Sequence, residues 1–259
     1  MSADDLFPLR IASALTTQRL GRSLELREIT DSTNDDARAA AGAGAPDGHL
    51  VLADAQRSGR GSRGRGWDSP GGTDLYLSAV VRTQLPLAQL APLTLAVGLG
   101  VAEAADAFLP SGKRAAIKWP NDVWVGRAKL AGVLVESASS GESSLPLIVG
   151  IGLNVNRRTF PAQLDTPATS LRLERGEPAD RVQVLVELLA RVEAWLDRFL
   201  GGQLEQVVHA LDARLCLRGQ RARCDDLEGV VQGVAASGAL RFVVDGRERE
   251  LVAGTLRPL

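Results

Sequence analysis

The sequence predicts an α+β fold: a mixed or antiparallel sheet with helices on a face, then a separate small β-barrel. Three stretches carry this expectation. Strand-like pieces at 115–119, 123–125, 130–137 and 145–156 follow one another closely, and Gly126-Arg127 is short enough for a hairpin. Short connections make antiparallel neighbours, whereas a doubly wound sheet needs a helix between strands. From Arg181 to Leu200 the apolar residues Val182, Leu185, Leu189, Val192, Leu196 and Phe199 recur in steps of three and four, a helical stripe aimed at a core. Beyond Gly219 the texture changes to short strands at 221–224, 229–235, 240–244 and 248–252. Asp225-Asp226, Ser237-Gly238 and Asp245-Gly246 part them, and Ser-Gly and Asp-Gly are hairpin turns. The expected division is 1–218 for the larger unit and 219–259 for the barrel.

The other elements follow in order. Residues 5–20 place Leu6, Leu9, Ile11, Ala14 and Leu15 at spacings compatible with one short helix. Residues 24–29 alternate as a strand does and run into Asp31-Ser32-Thr33-Asn34-Asp35-Asp36, followed by an alanine-rich helix at about 35–41. That cluster can cap the helix, with Asp36 where a capping box places an acid. It can equally grip a ligand at a helix N-terminus. The two readings are compatible, although capping alone needs one such residue, not four in a row. A strand at 49–56, a strand at 75–82, a long apolar helix at 87–109 interrupted or bent near Pro92, and a helix at 204–215 complete the pattern.

Composition narrows the function. With 45% apolar and 24% charged residues, the 259-residue chain has the make-up of a soluble globular protein. Lys+Arg of 30 against Asp+Glu of 31 leaves a net charge of −1, so no global basic field recruits nucleic acid and any positive site is local. No apolar run reaches membrane-spanning length, and the acidic start lacks the basic region of a signal peptide. Cys216 and Cys224 form no metal-ligand pattern and suit a reducing cytoplasm. With only His49 and His209, neither a histidine-based triad nor a multi-histidine metal site is expected. The chemistry falls to arginine, lysine and carboxylates.

The stretch Gly59-Arg60-Gly61-Ser62-Arg63-Gly64-Arg65-Gly66-Trp67 reads as a loop leaving a sheet edge. Glycines let a backbone approach a ligand closely, and arginines supply fork-shaped positive charge, so the loop is suited to phosphates or a carboxylate. Gly59, Gly61 and Gly64 formally match G-x-G-x-x-G, but Asp68-Ser69-Pro70-Gly71-Gly72-Thr73 follows where a dinucleotide site needs a helix. The Walker pattern fails too, because Arg65-Gly66 stands where Lys-Ser/Thr is required. A single short loop between strands is also unlike the long arginine-glycine repeats that bind RNA. Three further stretches set polar groups in apolar strands: Lys118-Trp119-Pro120-Asn121-Asp122, Lys129-Leu130-Ala131-Gly132-Val133-Leu134-Val135-Glu136 and Gly150-Ile151-Gly152-Leu153-Asn154-Val155-Asn156. Lys129 needs a counter-anion or a route to water, and the alternation places Asn154 and Asn156 on one side of the sheet. Turn and snorkelling readings exist for each stretch singly.

Together with Asp31-Ser32-Thr33-Asn34, Gln56 and Gly254-Thr255-Leu256-Arg257, these stretches resemble, in order and over most of the chain, those of the biotin protein ligases. The resemblance implies a catalytic domain like that of class II aminoacyl-tRNA synthetases and an SH3-like C-terminal barrel. It implies a cytoplasmic enzyme, monomer or homodimer, that uses ATP and Mg2+ to activate biotin as biotinyl-5′-AMP. Biotin then passes to a lysine of a biotin carboxyl carrier protein, as in acetyl-CoA carboxylase.

By motif position, Ser32, Thr33, Asn34 and Gln56 are implied to hydrogen-bond the ureido end of biotin or line its pocket, with Ser62 and Gly132 completing the biotin set. Arg60 and Gly61 meet the carboxylate and phosphate, and Lys129 bridges the biotin carboxylate and the α-phosphate. Arg63 and Arg65 lie near the phosphates, Trp67 near the adenylate, and Lys118, Asn121 and Asn154 at the nucleotide, the two asparagines being candidate magnesium contacts as well. Asp122 orients the incoming lysine or helps hold magnesium, and Arg257 reaches the nucleotide from the barrel. Lys129, Arg60 and Asp122 are the expected catalytic set. Ser62 departs from the family's loop, which carries arginine there; looser retention of the adenylate follows unless Arg63 compensates. Only about thirty residues precede Asp31, too few for a helix-turn-helix domain, so a ligase/repressor that binds DNA is not expected. A lipoate ligase would carry a different glycine motif followed by histidine, and a mere binding module would not need the activating groups.

Overall fold

The computed structural model describes residues 6–137 and 146–259; the expected starts at Asp5 and Leu145 lie outside these. The larger sheet has seven strands in the order β1-β2-β3-β7-β6-β5-β4. They are β1 (Leu24–Thr30), β2 (Leu50–Gln56), β3 (Leu75–Arg82), β4 (Ala115–Lys118), β5 (Asp122–Val125), β6 (Ala128–Ser137) and β7 (Pro146–Leu153). β1 and β2 are parallel, joined through helix α2 (Thr33–Gly42), and the other pairings are antiparallel. The sheet is therefore mixed, with the Gly126-Arg127 hairpin between β5 and β6. β2 lies inside the sheet, so the arginine-glycine loop leaves the end of an interior strand and not an edge.

Strand alternation sorts side chains onto two faces. Leu50, Leu52, Leu75, Leu77, Val149 and Ile151 join the main core, while Val51, Val80 and Ile148 pack with Ala37 and Ala41 of α2 on the other face. The main core is closed by α1 (Pro8–Ala14), α3 (Leu93–Asp106), a short α4 (Leu171–Arg175), α5 (Arg181–Leu200) and α6 (Leu204–Arg214). α1 is shorter than the apolar spacing allowed: proline opens its first turn, where a missing N–H costs nothing, and the chain turns extended at Leu15. The helix expected at 87–109 is interrupted near Pro92, as the sequence allowed: a 3-10 turn at Leu87–Gln89 precedes α3, with Pro92 at its N-cap. α5 has the bounds the stripe predicted: Asp180 accepts from the N–H groups of Val182 and Gln183, and the chain leaves the helix at Gly201.

The C-terminal unit is an antiparallel sheet in the order β11-β10-β9-β8-β12. Its strands are β8 (Arg221–Cys224), β9 (Leu227–Val234), β10 (Leu240–Val244), β11 (Arg247–Leu251) and β12 (Leu256–Pro258). β11 and β12 are its outer strands and no pairing between them closes a barrel among the described residues: β12 is three residues long and β11 is almost wholly exposed. Val231, Phe242 and Leu256 belong to the same apolar cluster as Leu95 and Trp119, and the Trp119 indole N–H donates to Gly238 O at 3.0 Å. The small sheet is docked on the large unit through that indole. No helix among the described residues is long and apolar enough to cross a membrane.

Candidate functional site

A cavity of about 300 Å³ opens on the α2 face of the large sheet. Ser32, Thr33, Asn34 and Gln56 line one side, and Arg60, Gly61, Ser62, Arg65 and Trp67 of the loop another. Asn121, Asp122, Lys129, Gly132 and Asn154 line the third. Stretches far apart in sequence thus meet at one place.

The polar cluster after β1 does not cap α2 through its side chains: Ser32 is the N-cap residue but makes no side-chain cap bond. The capping reading gives way, because these side chains are used across the sheet. Ser78, wholly buried on β3, donates to Asn34 Oδ1 at 2.6 Å and lies 2.8 Å from Thr33 Oγ1. Gln56 Oε1 accepts from Thr33 N–H at 2.9 Å, and Gln56 Nε2 donates to Ser69 Oγ at 2.9 Å. Ser69 in turn donates to Trp67 O, so the grip on α2 and the base of the loop form one hydrogen-bonded chain. Nothing in the strand 75–82 marked Ser78 out, beyond its being a hydroxyl in an apolar run.

The loop folds back on itself: Gly61 N–H donates to Arg65 O and Trp67 N–H to Gly59 O, both at 2.7 Å. Arg60 pairs with Asp35 at 2.7 Å and with Glu136 at 3.1 Å. Glu136 also accepts from Asn34 Nδ2 at 2.7 Å, so one carboxylate positions two of the expected ligand-binding side chains. Ser62 Oγ accepts from Arg65 and from Asn121 Nδ2, each at 3.2 Å. The Trp67 ring lies over Gly132 and Gly152, which are direct partners across β6 and β7. A Cβ at Gly152 would come within 2.4 Å of the indole and one at Gly132 within 2.9 Å, so the missing side chains are the seat for that ring.

Lys129 Nζ lies 2.7 Å from Asp122 Oδ1 and 5.0 Å from the Trp67 ring centroid, a cation between a carboxylate and a π face. Asp122 Oδ2 is 3.6 Å from Lys118 Nζ, so the counter-anion that Lys129 required is shared with a second lysine. Lys118 is 6% exposed, and burial pushes its pKa down. Asp122 opposes that lowering, while Lys129 and Arg65 add to it. Because Asp122 is shared with Lys118, it does not offset Lys129 alone, and the Lys129 ammonium at the cavity wall favours an anionic ligand.

Three expected residues lie elsewhere. Lys118 stands behind Asp122, its Nζ over the Trp124 ring at 5.6 Å, and does not line the cavity. Arg63 lines a smaller cavity beside the C-terminal sheet, with its guanidinium on Thr255. Arg257 sits on β12 opposite Arg223, away from the cavity lining. β7 ends at Leu153, so the strand alternation does not reach both asparagines. Asn154 Nδ2 instead donates to Thr169 O, and Asn156 holds Ala179 at both its N–H and its C=O.

The remaining wall was not foreseen. Phe160, Leu164 and Thr166 line the cavity from a segment that runs beside Lys129, whose N–H donates to Pro167 O at 2.7 Å. Arg157 anchors the segment. It is buried and donates to Asp74 Oδ2, to Asp68 Oδ2 and to Asp68 O at 2.7–2.8 Å. Its partners lie 83 and 89 residues away, beyond any local pattern.

The fold and cavity define an α+β protein with a cationic pocket on one face of a mixed sheet and a second sheet packed beside the arginine-glycine loop. Residues 26–154 match the family model described as biotin/lipoate A/B protein ligase. The biotin–[acetyl-CoA-carboxylase] ligase of Mycobacterium tuberculosis is 35% identical over 243 residues, which cover 90% of this chain and 88% of that one. The bifunctional ligase/repressor BirA of Bacillus spizizenii is 35% identical over 181 residues, 69% of this chain; the match spans only 55% of that relative's length. A biotin protein ligase from Aquifex aeolicus in complex with biotin and ATP superposes with a TM-score of 0.79 at 28% identity, covering 91% of this chain and 97% of that one. The chain belongs to the biotin/lipoate protein ligase family.

Proposed function

We propose that this protein is a biotin–[carboxyl carrier protein] ligase, and the observation that carries the reading is the Lys129–Asp122 pair facing the arginine-glycine loop across one cavity. In the first step an oxygen of the biotin carboxylate attacks the α-phosphorus of ATP. The bond to the β-phosphate oxygen breaks, pyrophosphate leaves and biotinyl-5′-AMP remains. In the second step a carrier lysine amine attacks the acyl carbon, AMP leaves with the bonding pair, and the amine gives up a proton. Two anions must meet in step one, so positioning and fixed positive charge do most of the work.

Lys129, Arg60 and Arg65 supply that charge. Ser32, Thr33, Asn34 and Gln56 form the polar end of the biotin pocket, with Ser62 and Gly132 beside it. Trp67, Asn121 and Asn154 face the nucleotide, and Asp122 receives or orients the incoming amine. Magnesium would arrive with ATP and supply charge neutralisation at the phosphates. Asp122, whose carboxylate lines the cavity, would be one ligand for it among phosphates and water.

The residues up to 218 act as the catalytic domain and 219–259 as its small partner. A carrier domain of a carboxylase such as acetyl-CoA carboxylase is the macromolecular substrate. The lining named above comes from one chain, and the reading holds for a monomer or a homodimer alike. A nucleic-acid partner is not part of this reading, since a net charge of −1 gives no global basic field. Two free cysteines suit the cytoplasm.

The test is incubation with biotin, ATP, magnesium and an acceptor carrier domain. Pyrophosphate release together with a biotinyl mass gain on the carrier lysine is expected. Reaction with lipoate but not biotin moves the assignment to the sister activity of the family, and reaction with neither refutes the ligase reading.

A further inference from the structure

We infer that Arg63 is a positioning residue that pins the closed arginine-glycine loop to the C-terminal sheet through Thr255 and Asp225, making the loop's hold on its anions depend on that sheet. The inference builds on the ligase reading above. Arg63 is the loop arginine whose guanidinium does not line the cavity. Its Nη1 donates to Thr255 Oγ1 at 2.5 Å and lies 3.5 Å from Asp225 Oδ1. Its backbone is left-handed, with φ 60 and ψ 35, a conformation L-residues seldom adopt and one that surrounding contacts must hold.

The receiving pair is built before the arginine arrives. Thr255 N–H donates to Asp225 Oδ1 at 2.8 Å, and Asp225 N–H to Thr255 O at 3.3 Å. Gly254 brings this corner against the large unit: a Cβ there would lie 2.3 Å from Cys224 Sγ and 3.5 Å from the Trp119 ring. Trp119 opens the turn that carries Asn121, whose amide holds Ser62 of the same loop. Adjacent loop residues are thus tied to one packed body, Ser62 from the turn and Arg63 from the small sheet. Such a tie gives the C-terminal sheet a part in loop closure without a side chain in the cavity.

Thr255→Val and Asp225→Asn in the full chain test this without altering the loop sequence. An exposed pair of this kind changes an equilibrium by about two- to fivefold. Trypsin cleavage at Arg60 and Arg65 in ligand-free protein is expected to rise by that factor with the melting temperature unchanged. Dissociation of preformed biotinyl-5′-AMP should quicken similarly, and Arg63→Ala should add nothing further to Asp225→Asn. Unchanged cleavage in both variants, or a fall in melting temperature that accounts for the cleavage, overturns the inference. So does a loss in Arg63→Ala that adds in full to Asp225→Asn, since Arg63 would then act on the substrate directly. If no adenylate forms at all, the ligase reading fails while the ligand-free cleavage still decides the tie.

Discussion

Adding one methyl group at Gly152 should open the arginine-glycine loop without unfolding the protein. The new Cβ would stand 2.4 Å from Trp67 Cε2, where ordinary contact begins near 3.4 Å, so the indole must move by at least 3.4 − 2.4 = 1.0 Å. The strand itself accepts alanine, because Gly152 is paired normally with Tyr76 and Gly132 and does not have a positive φ. Overpacking of this kind costs about 1–3 kcal/mol. Trp67 belongs to a loop whose side chains are mostly exposed, so the strain is relieved by displacing the ring with the loop and falls on its closed state. At about 1.4 kcal/mol per tenfold, the closed fraction drops ~5–150-fold. Biotin-dependent pyrophosphate exchange reads this as a loss in kcat/KM, with thermal unfolding as the control. The decisive comparison is Gly152→Ala on a Trp67→Ala background, where no ring remains to be displaced and the substitution should be nearly silent. An equal loss on both backgrounds, or an undiminished kcat/KM in the single variant, refutes the account of the seat.

Other expectations follow from the same contacts. Lys129→Met should lower adenylate formation by about 10²–10³-fold, as loss of a preorganised cation does, with the circular dichroism spectrum preserved; a tenfold effect or less would remove Lys129 from the reacting centre. Arg157→Leu strands the fully buried Asp74 carboxylate and should cost about 3–5 kcal/mol in urea unfolding, a loss that must vanish if Asp74 is neutralised by a compensating Asp74→Asn. Asp180→Ala should cost about 1 kcal/mol at neutral pH as a lost N-cap. Partial burial works to raise the Asp180 pKa, but Arg10 and the N–H groups of Gln183 and Val182 outweigh it and hold the carboxyl below its ordinary value of 3.8. A depressed carboxylate stabilises fully above 3.8 and loses that contribution as pH falls through the lower folded value, so variant and wild type should converge in strong acid. A gap that widens toward low pH would contradict this.

What the sequence made legible was what its period encodes. The α5 stripe and the β3 run were read with the bounds they have, because a 3.6-residue stripe and an apolar strand are local signals. The need of Lys129 for a counter-anion was also local, and the structure supplies Asp122. Other features depended on distant partners. Ser78 is an ordinary serine until Thr33 and Asn34 arrive from another strand's end. Asn34 could be read as a capping residue or as part of a ligand grip, since nothing near it in sequence shows Glu136 across the face. Arg63 and Arg65 are equivalent in the text of the loop; only the left-handed turn at Arg63 sends one to the C-terminal sheet and leaves the other at the cavity.

The order of the large sheet also bears on when the protein becomes active after synthesis or refolding. β4, β5, β6 and β7 are sequential neighbours joined by short links or direct pairing, and they carry Asp122, Lys129, Gly132 and Gly152. β1, β2 and β3 carry or border the polar grip, Gln56 and the loop. Within the sheet the halves are joined by the β3–β7 pairing, where Leu75 pairs with Leu153 and Arg82 with Pro146 across a long span of chain. Pairings of such separation form late, because a long loop must close before any contact rewards it. The cavity straddles that seam. Half-assembled chains should therefore hold much native secondary structure and no ligand-binding power, and recovery of activity should trail recovery of the far-ultraviolet signal.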